Sequence, residues 1–226
     1  MCELYFDVMS PYTYIAFQIL KRYKTLWDLT VIFKPVNLGT IMKESGNQPP
    51  AMVPNRARFM ANDLERTIKM LGLEKIFKGM PENFFSDVGK SSLLLNRILA
   101  TIAESSEEGS ENVWRAVDSA FAIIWEDDEY REGSLFVARK NLLQDFSKKA
   151  RVQVSNDEML EAGKVILKKN TERALELHAF GSPSLHFPNS SEKGKVFFGS
   201  DRFEQIAFLL GLPWYGPKAE QHASRL

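Results

Sequence analysis

Apolar side chains dominate residues 3–9 near the start of the chain, where the sequence is Glu-Leu-Tyr-Phe-Asp-Val-Met. A mostly apolar run of this length is typical of a strand buried on both faces. Ser10 and Pro11 follow with the side chains of a helix N-cap and a first helical position, and apolar residues then recur at helical spacing. A second run, rich in β-branched and aromatic residues, covers 29–36. The pattern therefore predicts a strand–helix–strand unit whose two strands are parallel.

Helical periodicity replaces the strand pattern between about residues 50 and 180. Phe59 and Met60 begin an apolar face that ends before Gly72, a residue typical of a helix C-terminus. Further helices are predicted over 89–103, 111–125, 135–150, and from a capping box at 155–158 toward residue 178.

Strand signals return after Gly181. Apolar runs at 184–187 and 195–198 flank a turn-rich segment, which predicts a β-hairpin, and an apolar helix follows a capping serine at Ser200. A βαβ unit at the front and a ββα unit at the back, separated by helices, predict an α/β thioredoxin-like fold with an inserted all-helical domain. The predicted domains are a thioredoxin-like domain over 1–52 and 178–226 and a helical domain over 53–177.

The turn at residues 10–13 lies where thioredoxin-like oxidoreductases carry a Cys-x-x-Cys pair. Ser10 and Thr13 occupy the two cysteine positions here, so this turn cannot form a disulfide. It offers instead a hydroxyl group at a helix N-terminus, where unpaired N–H groups and the helix dipole stabilise an anion such as a thiolate. We therefore expect the reactive thiol to come from a bound molecule.

Composition narrows the choice of function. The 29 basic and 29 acidic side chains are balanced, which argues against a nucleic-acid partner. The single cysteine, Cys2, excludes a disulfide framework and a cysteine-rich metal site. The three histidines lack metal-ligand spacing and no glycine-rich nucleotide motif occurs, so we expect neither a metal nor a nucleotide cofactor. No apolar run reaches the roughly 18 residues of a membrane span, and a strand starting at residue 3 leaves no room for a signal peptide.

Two loops have residues that could hold a ligand against the Ser10 turn. Ser182 and Pro183 precede a strand, like the cis-proline loop of thioredoxin-like proteins, whose backbone groups pair with extended peptide-like ligands. Asp201 and Arg202 come before the last apolar helix. A carboxylate paired with an ammonium group, and cap N–H groups paired with a carboxylate, would together hold an amino-acid head group.

A third polar segment, residues 39–51, is rich in turn-forming residues. It is predicted to be a loop that covers a cleft, and it leads into the start of a helix. Asn47 within it offers amide contacts, and Arg56 shortly after it offers a cation for a carboxylate.

Six short motifs are distributed over the whole chain: Ser-Pro-Tyr at 10–12, the loop at 38–51, Phe-Met-Ala-Asn-Asp-Leu at 59–64, Ala-Phe-Gly-Ser-Pro at 179–183, Phe-Gly-Ser-Asp-Arg at 198–202 and Ser-Arg-Leu at 224–226. In this order they resemble the motifs of kappa-class glutathione transferases. The resemblance implies a DsbA-like thioredoxin domain, a homodimer, and glutathione as a cosubstrate without a further cofactor.

The resemblance also implies roles at the sulfur end of glutathione. Ser10 would hydrogen-bond the sulfur and favour its thiolate, while Pro11 and Tyr12 shape the turn. Ser182, before a cis-Pro183, would pair with the cysteinyl backbone through its main chain. The family has leucine at this position, so the serine makes the sulfur pocket more polar if its side chain takes part.

Roles for the two other ends of glutathione follow in the same way. Ser200 and Asp201 would hold the γ-glutamyl end. Asn47 would face the glycyl end together with Arg56, which stands in place of a family lysine. Arg202 would act at the same site or across the dimer.

The implied activity is a detoxifying attack of the glutathione thiolate on small hydrophobic electrophiles, with glutathione-dependent peroxide reduction as a second expectation. Two alternatives stay open: a glutathione-dependent isomerase of the 2-hydroxychromene-2-carboxylate type, and a redox-inactive thioredoxin-like scaffold that binds a protein partner. The terminal Ser-Arg-Leu resembles the peroxisomal Ser-Lys-Leu address. We therefore expect a peroxisomal location, with mitochondria or cytoplasm as alternatives.

Overall fold

The computed structural model describes residues 1–81, 84, 89–128, 139–154 and 157–218 of the chain. The strands are β1 (Cys2–Phe6), β2 (Val31–Pro35), β3 (Ser184–His186) and β4 (Val196–Phe198). The helices are α1 (Pro11–Tyr23), α2 (Leu38–Ser45), α3 (Pro54–Leu71), α4 (Gly89–Ser105), α5 (Glu111–Trp125), α6 (Arg139–Ala150), α7 (Asp157–Glu176) and α8 (Phe203–Leu210), with a short 3-10 helix at Pro50–Met52.

The strands form one mixed sheet in the order β2-β1-β3-β4. β1 pairs in parallel with β2, with Leu4 opposite Phe33, and pairs antiparallel with β3, with Leu4 opposite Leu185. β3 and β4 form the antiparallel hairpin. The predicted βαβ and ββα units are therefore both confirmed. Because β1 and β2 are parallel, their carboxyl ends lie at one edge of the sheet, and α1 and α2 begin at that edge.

The end of the first strand differs from the prediction. β1 ends at Phe6, and residues 7–9, which were expected to continue the strand, form the turn into α1. The Ser10 amide donates to the Asp7 carbonyl at 3.0 Å within this turn. The chain therefore leaves the sheet three residues before the cap of α1.

Most helices of the middle segment match their predictions in position. α5 covers the predicted residues, and α4 is longer than predicted by two residues at its C-terminal end. Residues 135–138 of one predicted helix and 155–156 of the predicted capping box lie outside the described residues. Across the described part of the chain, no helix has both the length and the apolar character needed to cross a membrane.

The predicted loop at 39–51 is wrong over its first half, because these residues belong to α2. Asn37 caps α2 by accepting a hydrogen bond from the Thr40 amide at 2.9 Å, and Gly46 ends it with a φ of 73°. Only Leu38 and Ile41 of this helix are buried. Two buried positions are too few to show helical periodicity, which explains why the turn-forming residues dominated the prediction.

The buried face of α3 also differs in one position. Met60, Leu64 and Ile68 are buried and continue to Leu71, whereas Phe59 is 62% exposed. At 100° per residue, Phe59 lies roughly 135° from the middle of this buried stripe and therefore points away from it. The prediction that Phe59 belongs to the buried face is therefore wrong.

One hydrophobic core joins the sheet to the inserted helices. The ring of Phe17 on α1 lies 5.1 Å from that of Phe121 on α5, and Phe33 on β2 lies 4.9 Å from Trp114, centroid to centroid. Each such buried aromatic side chain contributes about 2–3 kcal/mol of hydrophobic stabilisation. This packing holds the start of α1 in place. The division into 1–52 with 178–226 and 53–177 stays a prediction.

Candidate active site

Ser10 begins α1 as its N-cap, as predicted. Its backbone is extended, with φ −84° and ψ 117°, and its Oγ accepts a hydrogen bond from the Thr13 amide at 3.2 Å. Pro11 occupies the first helical position, where its missing N–H group costs nothing. The cap therefore holds the Ser10 hydroxyl directly at the positive end of the helix dipole.

The loop before β3 lies against this cap. The Ser182-Pro183 peptide bond is cis, as predicted, and the Ser10 hydroxyl donates to the Ser182 carbonyl oxygen at 3.0 Å. The Ser182 Oγ lies 2.7 Å from the Thr13 Oγ1 and accepts a hydrogen bond from the Asp7 amide at 3.1 Å. We call the hydroxyl groups of Ser10, Thr13 and Ser182 the hydroxyl cluster.

The hydroxyl cluster is almost completely buried. Ser10 is 5% exposed, Ser182 is 6% exposed and Thr13 is fully buried. Hydrogen bonds to an anion strengthen in such surroundings, since little water competes for the donors. Ser10 has a single hydroxyl hydrogen and gives it to the Ser182 carbonyl. That hydrogen becomes available to an anion once another donor occupies the carbonyl.

Asp7 is a site residue to which the sequence assigned no role. Its buried carboxylate accepts hydrogen bonds from the Met9 amide at 3.1 Å and the Leu38 amide at 3.0 Å. Burial raises the pKa of the Asp7 carboxyl, and the hydrogen bonds from Leu38 and Met9 partly oppose this. Asp7 thus ties the turn before Ser10 to the start of α2. A polar residue at the end of an apolar run was the available signal.

Tyr12 connects the cap of α1 to α3. Its hydroxyl donates to the Asp63 carboxylate at 2.8 Å. Burial raises the pKa of the Tyr12 phenol, and the hydrogen bond to Asp63 adds to the effect, with a smaller contribution from the charge of Asp201. The phenol therefore stays protonated at neutral pH. The loop before α8 lies beside the cis-proline loop, since the Gly199 amide donates to the Pro183 carbonyl at 3.1 Å.

The other five polar residues predicted for the site are partly or fully exposed, and we call them the rim: Asn47, Arg56, Ser200, Asp201 and Arg202. Asn47 follows α2, and its side-chain amide donates to the Phe180 carbonyl at 2.8 Å, in the same loop as Ser182. Arg56 lies on the exposed side of the first turn of α3. The described residues give it no hydrogen bond or ion pair, so nothing but its place on α3 connects it to the site.

The prediction that Ser200 caps the last helix is wrong. α8 begins at Phe203, with Arg202 in the cap position and no side-chain hydrogen bond to the helix. Gly199 adopts a φ of 109°, and Ser200 and Asp201 after it form a turn. The Asp201 carboxylate pairs with the Arg202 guanidinium at 3.2 Å, and both side chains are exposed. This ion pair offsets the unfavourable placement of a cation at a helix N-terminus.

Comparison with known proteins decides the family. A family model described as a DsbA-like thioredoxin domain matches residues 1–211. "Glutathione S-transferase kappa 1" of Rattus norvegicus is 33% identical over 95% of this chain and 92% of that protein. The protein of the same name from Caenorhabditis elegans is 36% identical over 93% and 91%. The chain belongs to the kappa class of glutathione S-transferases.

A solved structure of a 2-hydroxychromene-2-carboxylate isomerase is also similar to this kappa-class chain. It superposes with a TM-score of 0.71 at 21% sequence identity, covering 93% of this chain and 94% of that one. At this identity the likeness concerns the fold alone. The predicted family and the predicted thioredoxin-like, DsbA-like fold are both confirmed.

The remaining candidate groups of the kappa-class chain lie away from the cap of α1. Cys2 is fully buried at the start of β1, and burial raises the pKa of its thiol. His186 is buried and its Nδ1 lies 2.7 Å from a Glu3 carboxylate oxygen, as expected for a structural histidine. His222 lies outside the described residues. Within the described residues, no cluster of three or more His, Cys, Asp or Glu side chains is arranged to hold a metal ion.

Proposed function

We propose that this chain binds glutathione at the start of α1 and transfers it to small hydrophobic electrophiles. The observation that carries the proposal is the Ser10 hydroxyl, which caps α1 and contacts the cis-proline loop through Ser182. The site contains no cysteine of its own, since Cys2 is buried in the sheet. The names of the kappa-class relatives indicate glutathione as the molecule that supplies the thiol.

The Ser182 carbonyl links binding to activation. It now accepts the hydrogen of the Ser10 hydroxyl at 3.0 Å. A cysteinyl N–H group of glutathione donates to this carbonyl, as in strand addition, so the carbonyl keeps an acceptor bond when the Ser10 hydroxyl turns away from it. The Ser10 hydroxyl then donates to the sulfur, while its oxygen keeps the hydrogen bond from the Thr13 amide. Substrate binding therefore frees the donor that the thiolate needs.

Ionisation of the thiol is the step that the site favours. The thiol proton leaves to solvent, and the Ser10 hydroxyl and the dipole of α1 stabilise the negative charge on sulfur. Each unit by which the pKa of the bound thiol falls corresponds to about 1.4 kcal/mol. The thiolate then attacks an electrophilic carbon, forming a sulfur–carbon bond as the leaving group departs with the bonding electrons.

The rim holds the charged ends of glutathione in this proposal. Asp201 pairs with the α-ammonium of the γ-glutamyl end, with Ser200 beside it, and the ammonium competes with Arg202 for the carboxylate. Asn47 and Arg56 face the glycyl carboxylate. Arg202 acts at the same site or across a dimer. Glutathione is the cosubstrate, and no further cofactor takes part.

Binding and turnover test the proposal separately. Calorimetry should show saturable binding of glutathione, and an activated aryl halide should be converted to its glutathione conjugate. An organic hydroperoxide assayed in parallel tests peroxide reduction as a second activity. Failure to bind glutathione, combined with binding of an extended peptide, would contradict the transferase and favour a scaffold.

Product analysis separates conjugation from isomerisation. A transferase consumes glutathione and leaves it in the product, whereas an isomerase returns it unchanged after the substrate has rearranged. The same reaction mixture, analysed for free glutathione by mass spectrometry, distinguishes the two outcomes. Complete recovery of glutathione from a converted hydroxychromene carboxylate would replace the transferase with the isomerase.

We also propose a peroxisomal homodimer. The address at 224–226 lies outside the described residues, so the proposal on location uses the sequence alone. A fluorescent protein fused to the N-terminus should locate in peroxisomes and disperse when these three residues are deleted. Retention in mitochondria or cytoplasm would contradict it. Sedimentation at micromolar concentration should give twice the monomer mass.

A further inference from the structure

One of the three hydroxyl hydrogens in the hydroxyl cluster lacks a hydrogen-bond acceptor. The Ser10 hydroxyl gives its hydrogen to the Ser182 carbonyl. The Thr13 and Ser182 hydroxyls are 2.7 Å apart, so one of them donates to the other. Because each hydroxyl carries a single hydrogen, the second hydrogen of this pair has no acceptor among the residues that the structure describes.

The spare hydrogen belongs to Ser182. Thr13 is fully buried on α1, whereas Ser182 is 6% exposed. Either hydroxyl could donate by geometry, but a hydrogen without an acceptor is least unfavourable on the less buried group, which assigns the donor role to Thr13. The Ser182 Oγ then accepts from both Thr13 and the Asp7 amide, which uses its two lone pairs. Toward a ligand, this hydroxyl acts only as a donor.

We propose that the Ser182 hydroxyl is a second hydrogen-bond donor to the sulfur of bound glutathione, beside Ser10. The inference rests on the proposed function and adds a catalytic role for the side chain to the main-chain pairing of Ser182. Two donors directed at one anion lower its pKa more than one does. The proton of the thiol still leaves to solvent, and both serines keep their own hydrogens. Thr13 and the Asp7 amide are positioning groups that orient Ser182.

The test measures the pKa of the bound thiol. Glutathione at saturation is titrated with wild-type and Ser182→Ala protein, and the ultraviolet absorbance of the thiolate is followed. Ser182→Ala should raise the pKa of the bound thiol by about one unit, a tenfold loss of thiolate below that pKa. Ser182→Thr keeps the hydroxyl and should restore most of the shift. S-methylglutathione has no thiolate, so its affinity should change less than twofold in Ser182→Ala.

Ser184→Ala is the matched control. The Ser184 hydroxyl is fully buried at the start of β3 and donates back to the Gly181 carbonyl of the same loop at 2.9 Å, outside the hydroxyl cluster. Its loss should leave the pKa of the bound thiol unchanged. If Ser182→Ala does not fold, Thr13→Val tests the same arrangement and should reduce the thiolate about threefold.

The outcomes separate this inference from the proposed function. A wild-type complex whose thiol ionises like free glutathione would overturn both. A lowered pKa in the wild type that depends on Ser10 but is unchanged in Ser182→Ala or in Thr13→Val would overturn only the role of Ser182. A rise in pKa that is equal in Ser182→Ala and Ser184→Ala would also overturn that role, since it would show a general effect of the loop.

Discussion

The hydroxyl cluster and the rim are the two polar regions of the proposed glutathione site, and they differ most in exposure. The cluster is buried and its members bond to one another, whereas Asp201 and Arg202 of the rim are 69% and 49% exposed in their side chains. Buried donors are held in place before the reaction and act strongly on a developing charge. Exposed charges are screened by water and contribute less. The comparison assigns chemistry to the cluster and recognition to the rim.

The largest expected effect comes from the cluster. Ser10→Ala should lower kcat for conjugation about 100-fold, because it removes a donor that strengthens as charge develops on sulfur. The KM for glutathione should change only a few-fold. Steady-state kinetics with the activated aryl halide measure both constants. Loss of the cap also destabilises α1 by about 1 kcal/mol, so activity is measured well below the unfolding transition.

Two variants accompany that measurement. Ser10→Thr keeps both the hydroxyl and the cap and should retain activity within about tenfold. Ser110→Ala removes the hydroxyl at the start of α5, which makes no side-chain cap hydrogen bond, and should leave kcat unchanged. If Ser10→Ala raised KM alone, the cluster would serve recognition as the rim does, and the comparison would fail.

The second effect concerns Asp7, which holds the turn before the hydroxyl cluster, and it is measured as a loss of folding stability. Asp7→Ala should destabilise the fold by about 2 kcal/mol, because it leaves the amides of Met9 and Leu38 without the acceptors that the Asp7 side chain provides. Urea unfolding of the variant and the wild type measures the difference. No loss of stability would show that the carboxylate does not hold the turn.

The pH dependence of the same difference tests the burial of Asp7. A raised pKa means that the folded state binds the proton more tightly than the unfolded state, so wild-type stability from this group falls as pH rises. The fall begins near the ordinary carboxyl value of 3.8 and continues through the raised value. The advantage of the wild type over Asp7→Ala should therefore shrink across this range. A growing advantage would contradict the dominance of burial.

A smaller effect is expected at the rim. Asp201→Asn should weaken glutathione binding about tenfold, since it removes one charge-assisted hydrogen bond. It should leave kcat within about twofold, because the contact is equal in the ground state and the transition state. Calorimetry gives the affinity, and Glu204→Gln in the first turn of α8 is a control for charge. A fall in kcat with unchanged affinity would show that Asp201 acts in the chemical step and not in glutathione binding.

The smallest effect is expected for Tyr12, which belongs neither to the hydroxyl cluster nor to the rim. Tyr12→Phe removes the hydrogen bond to Asp63 and should destabilise the fold by about 1 kcal/mol or less. The pKa of the bound thiol should stay within a few tenths of a unit, because the phenol bonds to α3 and is not part of the hydroxyl cluster. Thermal unfolding and the thiolate titration measure the two quantities. A larger shift would add Tyr12 to the chemistry.

The parts of the site predicted from sequence are those that depend on local patterns. A serine followed by proline after an apolar run identified the cap of α1, and Gly-Ser-Pro before a strand identified the cis-proline loop. Both signals come from neighbouring residues. The same reasoning found the parallel pair, because a strand, a helix and a strand follow one another directly.

The parts that were missed depend on distant contacts or on backbone turns. Asp7 became a site residue only when folding brought the Leu38 amide to it, 31 residues along the chain. Ser200 is not the cap of α8, because residues 200–201 form a turn and the helix begins at Phe203. The short α2 buries too few side chains to show a period. The sequence therefore predicted which residue types form the rim, but it did not predict the backbone geometry of the rim.

The central claim is that the start of α1 makes a bound thiol ionise more readily than it does in water. The most direct measurement is the ultraviolet difference spectrum of glutathione at neutral pH, saturated with wild-type protein, against free glutathione and against the Ser10→Ala complex. The account predicts a thiolate band in the wild-type complex that is strongly reduced in Ser10→Ala. A wild-type complex with the same thiolate absorbance as free glutathione would contradict it.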